Sequence, residues 1–331
     1  SEALLIKSTE GIGTLDNPLL ISALDASFQA DSGGIYVTSS DQTAGDGLTI
    51  GSLLNVPFSL LRADGGFDTV TGSRAGITTA NDGDLRLSVA SDLMVSAPVS
   101  VAGRVFMDAD LISVAASVQS TNNRVSAQAQ SVLDVGASGR IVSGADAGVA
   151  LTVNNGSLNL RAGGVLQAGS EGLSVHASAA VSLVGTVNSA GTVDGTAGGA
   201  LTMASGSGSS RVEGAISAAG DVRLQAGTDL GLGSIAAGTH NVALVAGRSI
   251  IDGDTSNDVS AQGLSLQTGS AGGVGSVSDA LDVSVDRLSL SSSGAAYVNE
   301  ASALTLSSVS SGVFSLAAAG SVNAQSVTAS G

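Results

Sequence analysis

The sequence predicts an all-β fold, a single right-handed parallel β-helix (β-solenoid) of roughly fourteen coils running through residues 1–331. Three observations predict it. The apolar residues are almost all small aliphatics, they alternate with period two in short runs closed by glycine, and equivalent runs return every 20 to 28 residues.

The aliphatic bias is the first of these. Hydrophobic residues make up 43% of the chain but aromatics only 2%, with no Trp, two Tyr and five Phe. A globular core of this length fills irregular space with aromatics. Ala, Val, Leu and Ile interleaved with Ser, Thr and 46 Gly suit a narrow core of stacked layers instead. Charged residues at 12% and three prolines are too few for a disordered chain. Every apolar run is cut within a few residues, whereas a spanning helix needs about 18, so the chain is not expected to span a membrane.

Net charge is −16, from 28 acids against 11 Arg and a single lysine, Lys7. Nucleic acid is therefore not an expected partner, because displacing phosphate counterions requires basic patches. An acidic, Lys-poor surface suits solvated extracellular use. Cysteine is absent, so neither disulfides nor thiol chemistry contribute. No signal peptide is visible, and Ser1 and Gly331 both fall mid-pattern, so the chain is read as a fragment of a longer repetitive polypeptide.

The alternation is plainest in Leu158-Asn159-Leu160-Arg161-Ala162-Gly163, Val222-Arg223-Leu224-Gln225-Ala226-Gly227, Val242-Ala243-Leu244-Val245-Ala246-Gly247 and Leu264-Ser265-Leu266-Gln267-Thr268-Gly269. One phasing starts successive coils at Leu85, Val105, Val125, Leu151, Leu173, Leu201, Val222, Val242, Leu264, Leu288 and Phe314. Each coil carries one or two further aliphatic segments, such as Leu93-Met94-Val95 and Val99-Ser100-Val101 after Leu85, the signature of a triangular coil. Inward aliphatics then form axial ladders, and a charge in a ladder, as in Leu244→Asp, is buried without a partner.

A longer repeat supports the phasing. Gly11-Ile12-Gly13 leads to Leu19, Ile21, Ala26, Phe28, Tyr36-Val37, Leu48-Thr49-Ile50 and Phe58-Ser59-Leu60. Gly273-Val274-Gly275 leads to Leu281, Val283, Leu288, Leu290, Tyr297-Val298, Leu304-Thr305-Leu306 and Phe314-Ser315-Leu316. The only two tyrosines of the chain hold the same place in both blocks.

These two blocks, including Asp279-Ala280-Leu281-Asp282-Val283, Asn17-Pro18-Leu19 and Ile35-Tyr36-Val37, resemble the filamentous-haemagglutinin-like large secreted adhesins of Gram-negative bacteria. The resemblance implies a β-helical filament at the bacterial cell surface or outside the cell, working in adhesion or biofilm formation. It implies as partners the adjoining segments of the same polypeptide, an outer-membrane secretion partner, and a host-cell, bacterial or polysaccharide surface. It supplies structural positions and no catalytic residues.

Because β-helices also carry polysaccharide hydrolases and lyases, catalysis is weighed directly. Glycoside hydrolysis needs a carboxylate pair a fixed distance apart, and a lyase a strong base beside a metal or cationic clamp. The chain has one Lys, no Asp-Asp pair and no His beside Asp, and the polygalacturonase-like signatures Asn-Thr-Asp, Gly-His-Gly and Arg-Ile-Lys are absent. No enzyme activity, catalytic residue, cofactor or metal is expected. His176 is expected to face outward beside Val175, and His240 to sit at a turn. Asp64-Gly65-Gly66-Phe67-Asp68, Asp82-Gly83-Asp84 and Asp252-Gly253-Asp254 could attract calcium but read as Asp-Gly turns. Gly206-Ser207-Gly208 and Gly231-Leu232-Gly233 precede strand-like segments, so they read as turns rather than phosphate loops. Asn155-Gly156-Ser157 is a formal glycosylation sequon at an expected corner. The 26–58 interval and the Thr186-to-Gly199 segment are the longer insertions that could bind a ligand directly.

Overall fold

The computed structural model describes residues 3–40, 47–61, 66–197, 199, 201–205, 212–252, 256–269 and 272–330. Among the described residues the fold is all-β without a helix, and parallel strands stack as a β-solenoid of about 13 turns. A 34-stranded sheet runs through it, and two antiparallel ribbons are attached, Ser52–Leu61 with Phe67–Ala75 and Ala204–Ser205 with Val212–Glu213. At an inter-strand spacing of about 4.8 Å, these turns form a rod roughly 60 Å long.

Each middle turn has three faces. Face A holds Leu85–Val89, face B Asp92–Val95 and face C Val99–Val101, after which Val105–Val114 begins the next turn. Period-two alternation makes each strand half-buried: Leu85, Leu87 and Val89 point inward while Arg86 is exposed. Parallel register then stacks like on like. Face A runs Ile35, Leu85, Val105, Val125, Val149, Leu173, Val193, Val222, Val242, Leu264 and Leu288. Face C runs Ile77, Val99, Val118, Ile141, Leu166, Val187, Ile216, Ile235, Val259 and Val283. Burying one such side chain contributes about 1.5–3 kcal/mol.

Three positions of the expected phasing shift. Val149, not Leu151, stacks on Val125; Leu151 lies two residues along the same strand, opposite Ala127. Leu201 belongs to face B, between Val181 and Leu230, and the face A partner of Leu173 is Val193. Phe314 pairs with Ala296, on a different face from Leu288. The long repeat also parts at one point. Phe58-Ser59-Leu60 lies in an antiparallel ribbon, whereas Phe314-Ser315-Leu316 is a parallel rung of the solenoid.

Toward both ends the triangle flattens. Asp25–Ala30 pairs with Leu48–Ile50 of face B at its start and with Ile77–Thr79 of face C at its end, so a single strand serves both faces. Ala296–Glu300 does the same, with Ala296 bridged to Val274 and Glu300 opposite Val283. Glu300 thereby brings a carboxylate into an aliphatic ladder. It is buried and satisfied: its Oε2 accepts the Val285 N–H at 3.1 Å, and its Oε1 accepts the Ser302 N–H and hydroxyl, each at 2.8 Å.

At other corners, buried hydroxyls meet backbone carbonyls. Ser27 donates to Gly76 O at 2.7 Å, Ser120 to Gly103 O at 2.6 Å and Thr268 to Gly272 O at 3.1 Å. The short side chains of Ser and Thr keep these turns tight while leaving no buried hydroxyl unpaired at them.

Candidate interaction surface

The acidic residues have a structural job that recurs from coil to coil. Asp84 accepts the backbone N–H of Arg104 at 2.7 Å, Asp221 that of Asn241 at 2.8 Å, Asp229 that of Ser249 at 3.2 Å, and Asp258 that of Asp282 at 3.0 Å. Each of these acids stands immediately before an inward aliphatic, and the N–H it binds stands immediately before the aliphatic stacked on that one. An N–H at a corner, out of reach of the regular ladder, is thus satisfied by a carboxylate from the neighbouring turn, a charge-assisted contact. Sequence reasoning missed this staple. Its signal is Asp followed by Leu or Val, as in Asp84-Leu85-Arg86-Leu87 and Asp221-Val222-Arg223-Leu224.

Arginines reinforce two of these corners. Arg248 donates through Nε to Asp229 Oδ1 at 2.7 Å and through its terminal nitrogen to Oδ2. Hydrogen bonding from Arg248, with the Ser249 N–H and the guanidinium charge behind it, holds the Asp229 carboxyl below the usual carboxylate range although burial opposes the shift. Arg104 approaches Asp84 at 3.7 Å. At a third place Arg161 Nε donates to Asp134 at 2.8 Å, which raises the Arg161 guanidinium further.

The residues singled out from the sequence are dispersed. His176 lies exposed on face A, in the outward row between Thr152 and Thr196. His240 closes a turn, its N–H donating to Ala237 O at 3.0 Å. Asp82 is in a turn with Asn81, both with positive φ, and Gly83 N–H returns to Ala80 O. Asp64 and Gly65, Gly253 and Asp254, and Gly206-Ser207-Gly208 lie outside the described residues, as do 41–46 of the first insertion and 198 of the second. Phe67 and Asp68 begin the return strand of the longer ribbon. Asp252 is buried at the end of face B. Gly231 ends a face B strand, and Gly233 directly precedes Ser234–Ala236. Asn155 sits exposed at the A-to-B corner, its N–H bound to Gln130 O at 2.8 Å. Among the described residues no three His, Cys, Asp or Glu side chains are grouped to hold a metal ion.

The two tyrosines, by contrast, share a local architecture. Ile12 bridges to Ile35, the chain leaves the sheet over residues 13–18, and it rejoins at Leu19, opposite Val37. Val274 likewise bridges to Ala296, residues 275–280 leave the sheet, and Leu281 rejoins opposite Val298. Tyr36 and Tyr297 are the residues that each excursion skips.

Both excursions begin at a glycine in the left-handed region, Gly13 at φ 66° and Gly275 at φ 57°. A Cβ there would stand 2.6 Å from Tyr36 O or 2.8 Å from Tyr297 O. Both loops close on themselves, by Thr14 N–H to Asn17 O at 3.0 Å and by Ser276 N–H to Asp279 O at 2.6 Å. Both expose an aliphatic at the tip, Leu15 at 62% and Val277 at 82%.

Each tyrosine is half-buried on the outer surface. The Tyr36 ring lies over Gly34, where a Cβ would come within 2.5 Å of its Cε2, so that glycine lets the ring lie close to the sheet. One coil further, Arg86 is opposite Tyr36 in register, and its guanidinium stacks 4.8 Å from the centre of the Phe106 ring on the coil beyond.

No family model, curated protein or solved structure matches this chain.

Proposed function

We propose that the chain is a structural shaft segment of a secreted or surface-attached bacterial adhesin, mediating or presenting contacts between a cell and another surface without catalysing a reaction. The observation that carries this reading is the stacking of parallel strands and their aliphatic ladders over about 13 turns, which makes length and stiffness the molecule's main product. Each turn buries its apolar edges only against neighbouring turns, so the rod lengthens by adding coils and transmits load through backbone hydrogen bonds. The resemblance of the blocks around Tyr36 and Tyr297 to haemagglutinin-like exoproteins supports the extracellular setting, the export through an outer-membrane partner and the continuation into adjoining segments.

The test is deletion of this segment from the full-length protein on its native cell, followed by attachment to host cells and to polysaccharide-coated surfaces. Attachment is expected to fall. Unchanged attachment, or cleavage of polygalacturonate by the purified chain, would overturn the reading, and cleavage would replace it with a carbohydrate-active β-helix.

A further inference from the structure

We infer that Tyr36 and Tyr297, each beside its excursion loop, form two separate docking sites for a neutral polysaccharide. The inference deepens the adhesion reading and depends on it only for the biological setting.

Three features point to sugar. In a chain with two tyrosines, both are partly exposed and both stand beside the same kind of loop, so the long repeat carries one arrangement onto two different faces of the rod. A phenol ring held close to the sheet, as Tyr36 is over Gly34, offers its outer face to the C–H face of a pyranose, and the hydroxyl supplies a polar handle at its edge. The adjoining loops combine one exposed aliphatic with short hydrogen-bonding side chains, Leu15 with Thr14 and Asn17, and Val277 with Ser276 and Ser278. That mixture matches a ligand that is apolar on its ring faces and hydroxylated around its rim.

Charge selects among saccharides. At a net −16 the rod repels polyanions. The cation nearest Tyr36 in register, Arg86, is stacked on Phe106. Beside Tyr297 the register partner is Ser315 and the loop carries Asp279. A neutral polymer is therefore the better fit than a uronate or sulfated one.

The two tyrosines lie roughly ten coils apart, about 50 Å at the inter-strand spacing, and face different directions, so each site takes its own ligand. Calorimetric titration of the full chain with mannohexaose, cellohexaose and galactohexaose, with polygalacturonate as the anionic comparison, tests this. At least one neutral hexasaccharide is expected to bind with a stoichiometry of about two per chain. Tyr36→Ala and Tyr297→Ala should each remove one site, and the double variant should weaken binding by at least about tenfold, the equivalent of 1.4 kcal/mol. Tyr36→Phe should stay within about threefold of the parent, the ring face being retained. Should an alanine variant fail to fold, Leu15→Asp and Val277→Asp change only exposed loop tips and should weaken binding in the same way.

Absence of binding to all three neutral probes, affinity unchanged in the folded variants, or preference for polygalacturonate would overturn the inference. If deletion of the segment still lowers attachment while no neutral probe binds, the docking sites fail and the shaft reading stands.

Discussion

Leu244 stands in the middle of face A, fully buried between Leu224 below and Leu266 above. Ala243, its neighbour in the same strand, points outward beside Arg223. The pair offers two aspartates one residue apart with opposite consequences. In Leu244→Asp the lost side chain costs about 3 kcal/mol through removed burial and residual cavity. Enclosing a carboxyl without a partner adds about 1–3 kcal/mol even after it takes up a proton, for a total near 5 kcal/mol. In Ala243→Asp the carboxylate stays in water near a guanidinium, and the change should fall within about 0.5 kcal/mol.

Because a solenoid turn touches only its neighbours, the Leu244→Asp damage should remain local. Hydrogen exchange followed by mass spectrometry is the suited assay. Protection should collapse in Val222–Ala226, Asn241–Ala246 and the 263–268 half of the next strand, while Val105–Val114 keeps its parental rate. Equal losses in the two variants, or a uniform loss along the chain, would refute the stacked-ladder reasoning.

Other expected outcomes concern the corners. Asp221→Ala leaves the Asn241 N–H without its carboxylate and should cost about 1 kcal/mol in a denaturant titration. For Asp229, whose pKa is depressed by Arg248, the stabilisation is present above the unfolded carboxyl pKa of about 3.9. It is lost as pH falls through the lower folded value, so the stability gap between the parent and Asp229→Asn should narrow below about pH 4 in urea melts. Glu300→Leu should destabilise by about 1–3 kcal/mol despite being more apolar, because the buried Val285 N–H is orphaned, whereas Glu300→Gln should retain most of the stability.

Most of the coil architecture was legible in aliphatic spacing, and its failures have physical causes. Leu201 fits the aliphatic spacing, whereas Val193-Asp194-Gly195 lacks the second aliphatic that marks other coils. In the structure Gly195 sits between Val175 and Leu224, and Leu224 fills the space, its Cδ2 only 2.9 Å from where a Cβ would be. The ladder is complete in three dimensions although one rung has no side chain. Phe314 misled for another reason: spacing counts coils but does not say which face a strand joins, and the merger of faces B and C at Ala296–Glu300 shifts everything after it.

The ribbon at Ser52–Leu61 had a readable warning, since Pro57 suits an edge strand rather than the middle of a parallel stack. The surface was less legible. The corner aspartates satisfy N–H groups on the next turn, about twenty residues away in sequence, and no local motif announces a partner at that distance. The shared position of the tyrosines was visible, but not the loops that leave the sheet beside them at Gly13 and Gly275.

Parallel register between consecutive turns is the claim beneath all of this, and the absence of cysteine makes it directly measurable. Ser174 is opposite Asp194 on the outside of face A, one coil apart, whereas Thr202 is on face B and Arg223 is one coil beyond Asp194. A pair at the inter-strand spacing of about 4.8 Å lies inside the Cα separation a disulfide tolerates, and a pair at twice that spacing lies outside it. Under mild oxidation, the Ser174→Cys/Asp194→Cys variant should lose two hydrogens by intact mass and resist alkylation, while Ser174→Cys/Thr202→Cys and Ser174→Cys/Arg223→Cys remain reduced. Cross-linking in either of the latter two, with none in the first, would contradict the stacked register.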